Sequence, residues 1–183
     1  SEGLTDQDAR VASLVRENGR AAVVLANKWD RIAKDDRAEV LRGIEHGLRF
    51  MSDVPVVPVS ALRGSGYGRL FDRIRAVARA AADRVPTADL NRWLQDVAEK
   101  HPPSMAAKGA VGRRPNKLFY ASQVGVRPPT FVVVCTDPRS IQATYVRFLE
   151  NQLRESFGFR GTPVRVRLRP RRPGRRPPQP SKS

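Results

Sequence analysis

The chain has 183 residues, enough for one or two small domains, and a formal net charge of +16. Residues 1–85 hold 15 basic and 12 acidic side chains, whereas residues 86–183 hold 19 and 6. This imbalance predicts two units, the second facing a polyanion. Nucleic acid is favoured over a membrane, because no basic amphipathic helix with an uncovered apolar face stands out. The single cysteine, Cys135, excludes an internal disulfide and fits a reducing cytoplasm.

The first half of the chain alternates helical and strand patterns. Thr5 and Asp8 predict a capped helix start, and the apolar runs 21–26 and 54–59 predict strands that are buried on both faces, as in parallel sheets. The two helical patterns that follow have apolar stripes, predicted to be buried, at Val40, Leu41, Ile44 and Leu48, and at Leu70, Phe71, Ile74, Val77 and Ala81. The order helix-strand-helix-strand-helix predicts an α/β doubly wound sheet.

The second half predicts a separate α+β domain over residues 86–169. Its predicted elements are a helix after Pro86-Thr87, strands over 117–123 and 130–136, a helix starting at Asp137-Pro138, and a strand over 162–169. This order is αββαβ. From residue 170 the chain is rich in Pro and Arg and has no apolar residues, which predicts a disordered basic tail over 170–183.

The run AVVLANKWD, residues 22–30, joins an apolar strand directly to Asn-Lys-x-Asp. A carboxylate only accepts, so Asp30 can take two hydrogen bonds from the N1–H and the exocyclic amine of guanine. Adenine would leave that carboxylate unpaired. Pockets that hydrogen-bond their ligand discriminate against such an analogue by roughly 10⁴–10⁵-fold. The stem of Lys28 can lie along the base, while the amide of Asn27 can bond the base and a neighbouring loop. A turn with Asp30 as N-cap is the alternative for so short a motif.

A second element favours the guanine interpretation. The run PVVPVSAL, residues 55–62, is another apolar strand and ends in Ser60 and Ala61. One helical pattern separates the two motifs, which is the strand, loop, helix, strand, loop order of the guanine-reading half of a G-domain. The glycines at 64, 66 and 68 are interpreted as a turn into the next helix rather than a phosphate loop, because no Lys-Ser/Thr follows them.

These residues carry a family resemblance over roughly residues 1–170. The series SEGLTDQDARVASLVRENGRA, VVLANKWD and PVVPVSALRGSG is similar to the second, Era-like G-domain of the Der (EngA) family. The segments PTADLNRWLQDV, NKLFYASQVGVRPPTFVVV and YVRFLENQLRESFGFRGTPVRVRLR resemble the KH-like domain of that family. The resemblance implies a cytoplasmic GTPase that binds GTP and GDP and, through ribosomal RNA, assists assembly of the large ribosomal subunit. It also implies that Asn27, Lys28 and Asp30 read guanine and that Ser60 and Ala61 complete the base pocket.

The sequence departs from the family pattern in one respect. The phosphate-binding GxxxxGK[ST], the switch Thr and the DxxG are absent, so no phosphate or Mg²⁺ ligand is predicted in this chain. We therefore expect a C-terminal piece of a longer protein, which binds GTP poorly and does not hydrolyse it alone. Residues 1–85 are predicted to be marginally stable in isolation, because two parallel strands leave exposed edges, whereas 86–170 should fold.

The RNA-binding surface is predicted from charge. The run Gly109–Gly112 matches the GxxG of KH loops that grip RNA, but it precedes a strand, which favours coincidence. A basic docking surface is predicted instead at Arg113, Arg114, Lys117, Arg165, Arg167 and Arg169. The alternative is an ordinary solvated face. The protein is expected to be a monomer. The rival function is a stand-alone RNA-binding module in which the G-like half is vestigial. His46 and His101 are interpreted as surface residues and no metal site is predicted.

Overall fold

The computed structural model describes residues 4–103 and 116–171, and the chain divides into two compact units. The first unit comprises residues 1–83 and 158–163, and the second comprises 84–157 and 164–183. The boundary at 83/84 lies close to the one predicted from the sequence. The sequence placed residues 158–163 in the second domain, whereas their contacts group them with the first.

The first unit has the predicted helix-strand-helix-strand-helix order. Its elements are α1 (Asp6–Glu17), β1 (Val24–Ala26), α2 (Arg37–Gly47), β2 (Val56–Pro58) and α3 (Tyr67–Ala82). The two strands pair in parallel, with Val24 opposite Val56 and Ala26 opposite Pro58. Thr5 and Asp8 form the predicted capping box at the start of α1. The α/β prediction is confirmed, although both strands are shorter than the apolar runs that predicted them.

The burial predicted for this unit is partly wrong. Val57, Val59 and Leu70 form its buried cluster. Leu25 in β1 is 50% exposed, and Phe71 and Ile74 in α3 are 54% and 44% exposed. Of the apolar stripe predicted for the second helix, only Leu48, which directly follows α2, is buried. A two-stranded sheet is too narrow to cover whole helix faces, so apolar positions that periodicity assigns to a core remain open.

Residues 158–163 form hydrogen bonds with the segments that precede the two strands of the first unit. Gly158, at φ 71°, directly follows the helix Ala143–Phe157, which precedes this segment. The N–H of Ala22 donates to the carbonyl of Gly161 (2.8 Å), and the N–H of Gly161 donates to the carbonyl of Asp53 (2.9 Å). Phe159 and Thr162 are each 1% exposed. The segment therefore bridges the chain leading into β1 and the chain leading into β2.

Replacing Gly161 by alanine should destabilise the first unit by about 2 kcal/mol, since the residue has φ 71° and a Cβ would lie 2.6 Å from Val77 Cγ2. Gly158→Ala is the matched control: it has the same φ, but nothing lies within 4 Å of its Cβ, so we expect about 1 kcal/mol. Urea unfolding followed by Trp29 fluorescence in a Trp93→Phe background measures both. Equal losses would contradict the close packing at Gly161.

The second unit has the predicted αββαβ order. Its elements are α4 (Thr87–Lys100), β3 (Leu118–Gly125), β4 (Thr130–Cys135), α5 (Ala143–Phe157) and β5 (Arg165–Pro170). The sheet order is β3-β4-β5, with β3 antiparallel and β5 parallel to β4. The largest fully buried side chains of this unit include Phe131, Val133, Leu149 and Leu153. The core therefore lies between the central strand and the helices.

Two predicted boundaries in this unit are wrong. Asp137-Pro138 begins a 3-10 turn, Pro138–Ser140, in which the Asp137 carboxylate accepts from the N–H of Arg139 (3.0 Å). The helix α5 begins only at Ala143, because the capping signal is used by this short turn. In addition, β5 continues through Pro170, where the tail was predicted to begin, and the N–H of Arg171 donates to the carbonyl of Cys135 (3.0 Å). Residues 172–183 lie outside the described residues.

Helix side chains bond to the outer edges of the three-stranded sheet. Asn91 of α4 donates to the carbonyl of Ala121 in β3 (3.0 Å) and accepts from its N–H (2.8 Å). Glu150 of α5 accepts from the N–H of Val166 in β5 (3.1 Å). Pro170 at the end of β5 has no N–H to offer. At these positions the backbone is not available to pair with an added strand.

Cys135, the last residue of β4, is a core residue. It is fully buried, and burial, aided by the negative charge of Asp137, raises the pKa of its thiol to about 11. At neutral pH it is therefore a protonated thiol with little nucleophilic character. No helix among residues 4–103 and 116–171 is long and apolar enough to cross a membrane.

Candidate base-binding site

The two predicted motifs emerge side by side from the sheet of the first unit. Beyond the paired strands, the N–H of Val59 donates to the carbonyl of Ala26 (3.0 Å) and the N–H of Trp29 to the carbonyl of Val59 (3.1 Å). Because β1 and β2 are parallel, the loops that follow them share one edge of the sheet. This carboxyl edge is where α/β proteins bind ligands.

The backbone at Lys28 brings Asp30 back toward Ser60. Lys28 is in the left-handed conformation (φ 60°, ψ 31°), which is uncommon for a residue with a side chain, and it starts a 3-10 turn over Trp29–Arg31. The fully buried hydroxyl of Ser60 donates to Oδ1 of Asp30 and accepts the N–H of Arg63 (3.1 Å). Ser60 therefore fixes the orientation of the carboxylate, while Oδ2 is left for another donor.

The electrostatics of the site keep Asp30 ionised. The hydrogen bond from Ser60 is the main reason that the pKa of this carboxyl is below its ordinary value, and the charges of Arg63 and Arg31 act in the same direction. The side chain is only 10% exposed. A nearly buried, ionised carboxylate is the acceptor that a pair of N–H donors on a base requires.

Asn27 joins the two loops. Its Oδ1 accepts from the N–H of Lys28 (2.7 Å) and from the N–H of Ala61 (3.1 Å). The structure therefore brings together the five residues predicted for the base site: Asn27, Lys28, Asp30, Ser60 and Ala61. The sequence did not single out Arg63, whose Nε lies 4.0 Å from Oδ2 of Asp30. Its position directly after the Ser-Ala-Leu element was the only available signal.

The glycines after Ser60 form a tight turn into α3. The backbones of Ser60 and Ser65 exchange two hydrogen bonds, of 3.0 and 3.2 Å, and Gly64 and Gly66 have φ of 64° and 89°. Gly66 lies against the backbone of Pro58 and Val59. These glycines therefore hold the Ser60 loop against the end of β2.

The predicted basic surface is only partly brought together. Lys117, Arg167 and Arg169 are exposed, whereas Arg165 is partly buried and engaged in another interaction. Arg165 pairs with Thr130 and Arg169 with Val134, so they lie about 13 Å apart along β5. Arg113, Arg114 and the Gly109–Gly112 run lie outside the described residues.

One feature of the basic surface was missed from the sequence. The guanidinium of Arg171 lies 4.6 Å from the ring centre of Phe119, a cation–π contact. The N–H of Lys117 donates to Oγ1 of Thr136 (3.1 Å), which places Lys117 at the same end of the sheet as Arg169 and Arg171. This end of the sheet therefore carries three cations beside an aromatic ring.

Both histidines lie at the surface, as predicted. His46 and His101 are exposed. Within residues 4–103 and 116–171, no group of three or more His, Cys, Asp or Glu side chains could hold a metal ion.

Comparison with known proteins relates both units to one family. Residues 84–169 match the KH-domain-like family of EngA bacterial GTPase enzymes, C-terminal. The chain is 38% identical over 173 residues to GTPase Der of Desulforamulus reducens, 40% over 172 residues to GTPase Der of Syntrophobacter fumaroxidans, and 41% over 170 residues to GTPase Der of Desulfitobacterium hafniense. These alignments cover 92–93% of this chain.

The chain spans only about 38% of the length of these relatives. The alignments nevertheless include the base-site loops as well as the KH-like unit, since they cover 93% of the chain. The chain thus belongs to the Der (EngA) family and corresponds to the C-terminal part of its members.

Proposed function

We propose that this chain supplies guanine recognition and an RNA-docking domain to a cytoplasmic, GTP-hydrolysing factor for assembly of the large ribosomal subunit. The observation that carries this proposal is the pair of joined loops in which Ser60 holds Asp30 and Asn27 holds Ala61. The relatives are named GTPases, which supports GTP and GDP as the nucleotides. A vestigial scaffold would have no need of an oriented, ionised carboxylate at this edge of the sheet.

The proposed base contacts use the carboxylate of Asp30, the N–H of Ala61 and the side chains of Lys28 and Asn27. Guanine offers N1–H and the 2-amine to Asp30, while its O6 can accept from the N–H of Ala61. The stem of Lys28 lies along the ring, and the amide NH₂ of Asn27 donates to the base. Because the side chain of Asp30 is 10% exposed, a base that leaves it unpaired is strongly disfavoured.

We assign phosphate and Mg²⁺ binding to parts of the full-length protein that this chain does not contain. Its sequence lacks the P-loop and DxxG, and it spans about 38% of its relatives. The exposed apolar side chains Leu25, Phe71 and Ile74 mark the faces on which further strands and helices of a G-domain would pack. GTP hydrolysis is accordingly proposed for the full-length protein and not for this chain.

The base contact can be tested by titrating the ¹⁵N-labelled chain with GMP and AMP. We expect GMP, at millimolar concentration, to shift the amide resonances of Ala61 and Arg63, and AMP to leave them unchanged. Asp30→Asn should reverse the preference toward XMP, because the asparagine NH₂ can donate to the 2-carbonyl of xanthine. Equal shifts with GMP and AMP, or no shift with either, would contradict guanine recognition.

Binding of large-subunit ribosomal RNA should depend steeply on salt. Replacing Arg167 and Arg169 together by alanine should reduce the slope of log K against log [salt] by about 2, since each phosphate contact contributes about 0.9. Arg147→Ala, which removes an exposed cation from α5, is the control and should change the slope little. A slope near zero in the unmodified chain, or equal effects of the variants, would remove this surface from the proposal.

A further inference from the structure

The polar groups proposed to bind guanine also contact other groups of the chain. The N–H of Ala61, proposed to meet O6 of guanine, donates to Oδ1 of Asn27 (3.1 Å). Oδ1 also accepts from Lys28 N–H (2.7 Å), so both of its lone pairs are used. A side-chain amide carbonyl therefore occupies the donor that a base carbonyl would use.

The acceptor of the site, the carboxylate of Asp30, also has neighbouring donors from the chain. Ser60 bonds to Oδ1 of Asp30, and the Nε of Arg63 stands 4.0 Å from the other oxygen, Oδ2. A guanidinium presents N–H donors on one planar N–C–N unit, which is also how guanine presents N1–H and its 2-amine. Arg63 thus offers Asp30 the same chemistry as the guanine edge.

We propose that Arg63 and the carbonyl of Asn27 are internal placeholders for the two polar edges of guanine, so that Arg63 competes with the base for Asp30. This inference rests on the proposed guanine recognition and adds a residue that tunes affinity. The geometry suits a displaceable competitor. At 4.0 Å the contact is a loose ion pair rather than a hydrogen bond, and the Arg63 side chain is 72% exposed.

The exchange has a consequence for affinity and specificity. Guanine replaces one ion pair and one hydrogen bond by equivalent contacts, so the base adds little net affinity. Adenine cannot make the exchange, because it lacks the N1–H and the 2-amine with which guanine would displace Arg63. The site therefore discriminates between bases while holding guanine weakly, and tight binding depends on contacts elsewhere on the nucleotide.

The test combines GMP affinity with the resonance of the Arg63 side chain. Arg63→Ala should tighten GMP binding by about two- to fivefold at low salt, and the gain should vanish near 1 M salt. Arg63→Lys keeps the charge but not the planar donors. Its GMP affinity should lie between those of the unmodified chain and Arg63→Ala. Arg79→Ala, which removes an exposed cation from the last turn of α3, is the control. It should leave GMP affinity unchanged.

Weaker or unchanged GMP binding by Arg63→Ala would overturn the inference, since Arg63 would then contact the nucleotide or play no part. The ion pair can be tested without nucleotide. Asp30→Asn should move the Nε–H resonance of Arg63 toward that of a free arginine, and GMP should move it the same way in the unmodified chain. If no variant binds GMP, guanine recognition fails, and an Arg63 resonance that is unaffected by Asp30→Asn overturns the competition independently.

Discussion

Gly66→Ala should destabilise the first unit by about 3 kcal/mol and disrupt the base site. Gly66 has φ 89°, which costs a residue with a side chain about 1–2 kcal/mol. A Cβ there would also overlap the carbonyl oxygen of Pro58 and lie 3.0 Å from Cα of Val59. Relief requires moving the loop away from β2, and with it Ser60, whose hydroxyl orients Asp30.

Gly64→Ala separates the two parts of this effect. Gly64 has φ 64°, but nothing lies within 4 Å of its Cβ, so only the conformational cost of about 1 kcal/mol is expected. Urea unfolding followed by Trp29 fluorescence in a Trp93→Phe background gives both stabilities. The GMP-induced shift of the Ala61 amide should be lost in Gly66→Ala and kept in Gly64→Ala. Equal behaviour of the two variants would show that the loop tolerates a Cβ at residue 66.

Asn91→Ala should destabilise the second unit by about 3 kcal/mol. The Asn91 amide bonds to the carbonyl and the N–H of Ala121, and it donates to the carbonyl of Thr87 (2.7 Å). Ala121 is 1% exposed, so truncation leaves a donor and an acceptor unpaired at a buried strand edge. Each such group costs about 1–3 kcal/mol.

Two further variants isolate the hydrogen bonds of Asn91. Asn91→Asp keeps the acceptor for the N–H of Ala121 but puts a carboxylate oxygen against the carbonyls of Ala121 and Thr87, so we expect a loss at least as large as that of Asn91→Ala. Gln95→Ala, an exposed position on the same helix, should change stability by less than about 0.5 kcal/mol. Urea unfolding followed by Trp93 fluorescence in a Trp29→Phe background measures all three. A loss for Asn91→Ala no larger than that for Gln95→Ala would refute the edge contact.

Element order and the chemistry of the base site could be predicted because they depend on local patterns. The capping box of Thr5 and Asp8, the apolar strands and the Asn-Lys-x-Asp and Ser-Ala motifs all act within a few residues. Asp137 shows the limit of such signals. An Asp-Pro pair predicts a helical start, but whether a 3-10 turn or an α-helix follows depends on packing further along the chain.

By itself, the sequence determined the βα order, the αββαβ unit, the acceptor chemistry of Asp30 and the basic character of the second half. Only the tertiary structure decided that residues 158–163 complete the first unit, that Leu25, Phe71 and Ile74 stay exposed, and that Asn27 contacts Ala61 and Arg63 contacts Asp30. The physical reason is the distance along the chain between the residues that interact. Periodicity and caps report interactions between near neighbours, whereas these features depend on which distant backbone and side-chain groups the fold places within hydrogen-bond or van der Waals distance.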